Sequence, residues 1–112
     1  MKEQAIMPRD PIHPGRFLAD ELAELGMTPA ELARELHVPA NRMYQILSGK
    51  RAMTADTALR LSRWFGTSAE LWMNLQKLYE LRLAEQETGE EIRRTIAHRQ
   101  PSASESIAAT PH

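Results

Sequence analysis

Leucine and alanine recur three and four positions apart through most of this chain, and no useful stretch alternates apolar with polar residues in the rhythm of a strand. Leu18, Leu22 and Leu25 share one face of a first helix. Pro14 suits its first turn, where a missing N–H costs nothing, and Gly26 supplies the left-handed residue that stops it. Thr28-Pro29-Ala30-Glu31 opens a second helix: the hydroxyl can cap, proline fixes the first helical φ, and Glu31 can return a bond to the cap. Leu32, Ala33 and Leu36 point inward before a break at His37-Val38-Pro39. The third helix is expected from Ala40 to about Leu47, with Met43, Ile46 and Leu47 inward and Ser48-Gly49 closing it. Thr54 starts the fourth, with Asp56 favourably placed against the helix dipole, Ala58, Leu61 and Phe65 inward, and Gly66 as terminator. Thr67-Ser68-Ala69-Glu70 matches a second capping box and opens a fifth helix predicted to reach about Leu83. Gly89 is then expected to interrupt, and Thr88 with Glu91 can cap a short further helix carrying Ile92 and Ile96. Agreeing start and stop signals predict an all-α, five-helix bundle with room for that short C-terminal helix. Residues 1–12, with Pro8 and Pro11, read as a flexible arm, 13–86 as the folded domain, and 87–112 as a short helix or disordered tail.

The short break between the second and third helices is the informative feature. Only Leu36 to Pro39 join them, and small Ala33 lets the next helix approach, so the two must cross steeply as a helix-turn-helix. The face left outward on the third helix presents Ala40, Asn41, Arg42, Tyr44, Gln45 and Ser48, with no carboxylate among them. The net charge of −1 conceals where the cations lie. Residues 34–64 hold six Lys or Arg against two Asp or Glu, whereas residues 1–33 hold three against six and residues 65–112 hold five against seven. Polyanion binding depends on such local clustering rather than on the total. Arg42 can pair with guanine through two parallel bonds, and Asn41 or Gln45 with adenine; Ala40 and Tyr44 share the same base-facing surface. Lys50 and Arg51, Ser48, and the caps Thr28 and Thr54 at two helix N-termini are placed to meet phosphates. A solvated helix followed by a solvated loop would carry the same residue types, so at this point both readings stand.

Several function classes fall away. With no cysteine there is no disulfide, thiolate nucleophile or Cys-based zinc site. The four histidines, His13, His37, His98 and His112, lack metal-ligand spacing, and no phosphate-cradling glycine loop or nucleophile elbow occurs. His13 fits better as a residue that begins the first helix. The sequence therefore predicts a binding protein without cofactor or metal rather than an enzyme. Single-strand stacking is disfavoured, because Tyr44 is the one aromatic on the basic face. No apolar run approaches the roughly 18 residues of a membrane span, and Met1 to Ile6 lacks a secretory apolar region, so a cytoplasmic protein is expected.

His13-Pro14-Gly15, Leu32-Ala33-Arg34, Asn41-Arg42-Met43 and Ser48-Gly49-Lys50-Arg51 resemble the Xre/Cro, lambda-repressor-like helix-turn-helix family. Thr54 to Leu61 and Phe65 to Gln76, with Trp72-Met73-Asn74-Leu75-Gln76, narrow the resemblance to HigA-type antitoxins, also called virulence-associated protein I, over roughly residues 12–84. The resemblance implies a dimer that binds operator DNA, represses its own operon and neutralises a RelE-like mRNA endonuclease toxin. Three positions depart from the family pattern. Pro29 stands where a DNA-touching Gln is usual, His37 where Gly is common in the turn, and Pro39 where Ser usually caps the recognition helix. The fold should survive all three, with weaker DNA affinity.

Trp72, Leu75, Tyr79 and Leu83 form one stripe of the fifth helix, which Leu71 and Leu78 widen. Leu71 and Leu75 are expected in the core, leaving Leu78, Tyr79 and Leu83 as candidate dimer contacts. Two surfaces compete as toxin contacts: acidic Asp20, Glu21 and Glu24 on the first helix together with the flexible arm before it, and the Thr88–Arg99 segment. A stand-alone phage-like repressor without a toxin, or a protein-binding module without DNA activity, are the alternative functions.

Overall fold

A computed structural model describes residues 10–100. Five helices follow in order: α1 (Pro14–Leu25), α2 (Pro29–Leu36), α3 (Ala40–Leu47), α4 (Ala55–Phe65) and α5 (Ala69–Thr95), with no strand among the described residues. The expectations for residues 1–9 and for the tail from 101 onward lie outside the described residues.

The helix ends are set by the chemistry the sequence announces. His13 caps α1, its Nδ1 accepting from the Gly15 N–H at 2.9 Å, and Gly26 closes the helix at φ 66°. Thr28 and Glu31 form the full capping box on α2, with Glu31 Oε1 accepting from the Thr28 N–H at 2.9 Å. Pro39 gives α3 no side-chain cap bond. Thr54 caps α4 and Gly66 ends it. At α5 the cap is Ser68, whose hydroxyl accepts from the Leu71 N–H, one residue later than the Thr67 box predicted. Leu71 then occupies the position where a capping box needs Glu or Gln, so no reciprocal bond forms.

The core gathers Leu18, Leu22, Leu32, Ala33, Leu36, Met43, Ile46, Ala58, Leu61 and Trp72, joined by Met53 from the loop between α3 and α4. Leu47, Phe65 and Leu75 pack at its margin. Gly15 marks the closest approach of α1 to α3, because a Cβ there would collide with the Ile46 carbonyl oxygen. Two leucines lie outside the core: Leu25, which shares a face with Leu18 and Leu22, and Leu71, which the sequence pattern places inside. Leu25 is 51% exposed in the last turn of α1, and Leu71 is 46% exposed in the first turn of α5. Both stand at helix ends, where the axis has already left the core and periodicity alone misjudges depth.

The largest departure is α5, which runs on to Thr95 rather than stopping near Leu83. Gly89 does not interrupt it. Glycine in a helix interior costs roughly 0.5–1 kcal/mol relative to alanine, too little to break a segment rich in Glu, Gln, Ala and Arg. Arg93 pairs with Glu85 two turns away, and the Glu85 carboxylate lies where a Gly89 side chain would be. From Ala84 onward α5 is exposed apart from Gly89, so this end leaves the bundle as a projecting arm.

Candidate nucleic-acid interface

The turn before it and its buried residues orient α3. With Met43 and Ile46 buried, Ala40, Asn41 and Tyr44 face outward, and Arg42 and Gln45 lie half-buried at the edge of the same surface. Residues 41, 42 and 45 therefore reach one side of the molecule together. The turn before α3 depends on His37, which takes the left-handed conformation at φ 59°. Its N–H donates to the Arg34 carbonyl and that of Val38 to the Ala33 carbonyl, closing the end of α2.

Beyond α3, the chain folds back onto Gln45. The Gln45 carbonyl accepts from the Lys50 N–H at 2.8 Å, the Arg51 N–H at 3.2 Å and the Ser48 hydroxyl at 3.1 Å. Gly49, at φ 81°, makes that return possible. The Gln45 Oε1 also accepts from Arg51 Nε at 2.9 Å. An amide oxygen has two lone pairs, so this bond fixes the Gln45 side chain while leaving one acceptor site and the amide N–H groups available. Lys50 and Arg51 are exposed beside it.

Arg42 is not a free cation. Its Nη1 donates to Asp56 Oδ2 at 2.8 Å, and Arg60 Nε donates to the same oxygen at 2.9 Å. These two arginines hold the Asp56 carboxyl below the usual carboxylate range, Arg60 contributing more than Arg42. Arg60 is itself anchored, its Nη1 donating to the Leu36 carbonyl at 2.8 Å. The surface of α3 carries no carboxylate of its own, as the sequence indicated, but the first turn of α4 brings one against it.

Thr28 and Thr54 sit at the exposed N-termini of α2 and α4, each engaged as a cap. Two residues that sequence reasoning missed support this surface from behind. Gln76 is buried on α5, where its Oε1 accepts from the Met53 N–H at 2.8 Å and its Nε2 donates to Glu80, tying the loop after α3 to α5. His13 packs edge-to-face on Tyr79, with ring centroids 5.0 Å apart, and hydrogen-bonds the Arg51 backbone. Burial pushes its imidazole below the ordinary value, more strongly than the Arg51 contact pushes it up. The Trp72-to-Gln76 segment carried a signal for Gln76; nothing local pointed to the partner of Arg60.

The other predicted residues spread along α5. Leu78 is exposed, Leu83 is half-buried, and Tyr79 is partly covered by His13. Leu78, Leu81, Arg82, Glu85 and Arg93 line a shallow groove of about 510 Å³. Asp20, Glu21 and Glu24 are exposed on α1, and Ile92 and Ile96 are exposed at the far end of α5. Among the described residues, no helix is long and apolar enough to cross a membrane.

Residues 18–72, spanning most of α1 through the start of α5, match a helix-turn-helix family model. Virulence-associated protein I of Dichelobacter nodosus is 47% identical over 77 residues, which cover 68% of this chain and 71% of that protein. The chain belongs to the HigA-type branch of the Xre helix-turn-helix family. A HigA-family addiction module antidote protein from Coxiella burnetii superposes with a TM-score of 0.78 at 45% identity, covering 80% of this chain and 99% of its own. Pseudomonas aeruginosa antitoxin HigA, solved with the higBA promoter, gives the same TM-score, identity and coverage. The HigA family comprises DNA-binding regulators and antitoxins and is not a family of enzymes.

Proposed function

We propose that this HigA-type chain binds double-stranded operator DNA as a twofold dimer, represses its own operon, and neutralises a RelE-like mRNA endonuclease toxin. The observation that carries the reading is the placement of exposed Asn41 with half-buried Arg42 and Gln45 on one side of α3, beside the exposed Lys50–Arg51 loop. In this reading α3 enters the major groove, where Arg42 reads guanine and Asn41 or Gln45 reads adenine, with Ala40 and Tyr44 against the neighbouring base edges. Lys50, Arg51 and Ser48, with Thr28 and Thr54 at two helix N-termini, contact the flanking phosphates and set register. Leu78, Tyr79 and Leu83 belong to the dimer contact. Tyr79, committed in part to His13, contributes its outer edge. For the toxin, the acidic face of α1 complements a basic ribonuclease, and the projecting end of α5 offers Ile92 and Ile96 as apolar anchors.

The test separates base reading from phosphate contact. Arg42→Ala should cost about 1–3 kcal/mol at a selected duplex and relax preference at one base pair. Lys50→Ala should weaken all duplexes alike and flatten the slope of log K against log salt by about 0.9. Anisotropy titrations across salt concentrations distinguish the two. Unchanged binding in both variants would remove the DNA reading.

A further inference from the structure

A recognition-helix arginine held by a carboxylate from another helix calls for a reason. Asp56 is 56% exposed and the Arg42 side chain 26% exposed, so their pair stabilises the fold by little. Its geometry, however, is fixed from both sides. The Leu36 carbonyl in the last turn of α2 holds Arg60, Arg60 holds Asp56, and Asp56 holds Arg42. The chain of contacts runs from the helix-turn-helix turn through α4 to the proposed base-reading side chain.

We propose that Asp56 is a positioning residue that sets the discrimination with which Arg42 reads its base pair; this rests on the DNA-binding role proposed above. Two effects act together. Asp56 holds the Arg42 guanidinium in one orientation with one nitrogen engaged, so less side-chain freedom is lost when its remaining donors meet a base edge. Asp56 also opposes the alternative use of Arg42. A phosphate that captured the guanidinium would have to displace a carboxylate already bonded to it, and would approach that carboxylate's negative charge. On a non-specific duplex no matching base edge stands opposite Arg42 and phosphates are its main partners, whereas the specific site presents that edge. Asp56 therefore disfavours the non-specific complex more than the specific one.

Four proteins decide the matter: the wild-type chain, Asp56→Asn, Arg42→Ala and the double variant. Each is titrated against a duplex selected by the wild type from a random pool and against a scrambled duplex of the same composition. Asp56→Asn is expected to bind the scrambled duplex more tightly, with a salt slope steeper by about 0.9, and to lower the selected-to-scrambled ratio up to about tenfold. In the Arg42→Ala background the ratio should not respond to Asp56→Asn, because the residue it positions is gone. Asp56→Glu retains the charge and should retain most of the ratio. A merely structural Asp56 would move the melting temperature and leave the ratio alone. The inference is overturned if Asp56→Asn keeps the wild-type ratio, if its effect persists without Arg42, or if Asp56→Glu falls to the level of Asn. In each case the DNA-binding role still stands. A wild-type chain that prefers no duplex at all overturns that role instead.

Discussion

His37 and His13 show how far single residues bend to the frame around them. His37 adopts a left-handed φ of 59°, which glycine enters freely and other residues enter at a cost of about 1–2 kcal/mol. The turn tolerates it because the closing bonds to Ala33 and Arg34 and the buried neighbours on both helices over-determine the backbone. His13 does three jobs, as the cap of α1, as the aromatic partner of Tyr79 and as a brace for the Arg51 backbone. The cap uses Nδ1 as an acceptor, so the neutral ring is the form the fold needs. Burial lowers its folded pKa below the ordinary 6.5, so the unfolded chain binds more protons as pH drops past that value. Stability should accordingly be complete above pH 6.5 and decline as the medium is acidified below it. Thermal melts between pH 7.5 and 5 should show this fall, and His13→Asn, which keeps a capping oxygen, should flatten it.

Between elements, the contact of α1 with α3 decides how the recognition helix is held. Gly15 leaves no space for even one methyl group against the Ile46 carbonyl, and backbone cannot swing aside as a side-chain tip can. Gly15→Ala is expected to destabilise by about 3 kcal/mol, the upper part of the overpacking range, and to lower the melting temperature by roughly 10 °C or more. A melt within a degree of the wild type would show that α1 slides without consequence. The loop after α3 is fastened separately by Gln76, a buried amide with both ends satisfied. A polar residue in that place would be costly unpaired, and paired it fixes the one loop that carries Lys50 and Arg51.

For the molecule as a whole, the projecting end of α5 is the feature a monomer does not need. Leu78 and Leu81 are exposed just before it, and Ile92 and Ile96 at its far end, an apolar surface of the kind that marks association. A dimer is expected by light scattering at micromolar concentration. Leu78→Glu should yield a folded monomer, since the residue lies outside the core. Selective duplex binding should weaken in that variant, because two half-sites then pair with two unlinked modules. Purification of the natively expressed chain should also recover a basic partner of about 10 kDa. A chain that arrives alone, from cells that carry no neighbouring toxin gene, would favour the stand-alone repressor.

What the sequence determined by itself was local. Prolines, glycines, the Thr28–Glu31 box and the Thr54 cap sit within four residues of what they act on, so the starts and stops of α1 to α4 and the tight turn before α3 could be read directly. The outward face of α3 followed as well, because Met43 and Ile46 leave its opposite side nothing to bury. The run of α5 through Gly89 was itself local, set by strong helix formers that outweigh one glycine. Only the tertiary structure decided that Leu25 and Leu71 lie outside the core. The same holds for the meeting of Asp56 with Arg42, 14 residues away, and of Gln76 with Met53, 23 residues away. Helical spacing tells which residues share a face. How deep that face lies, and which distant group meets it, depends on where the helix axes cross.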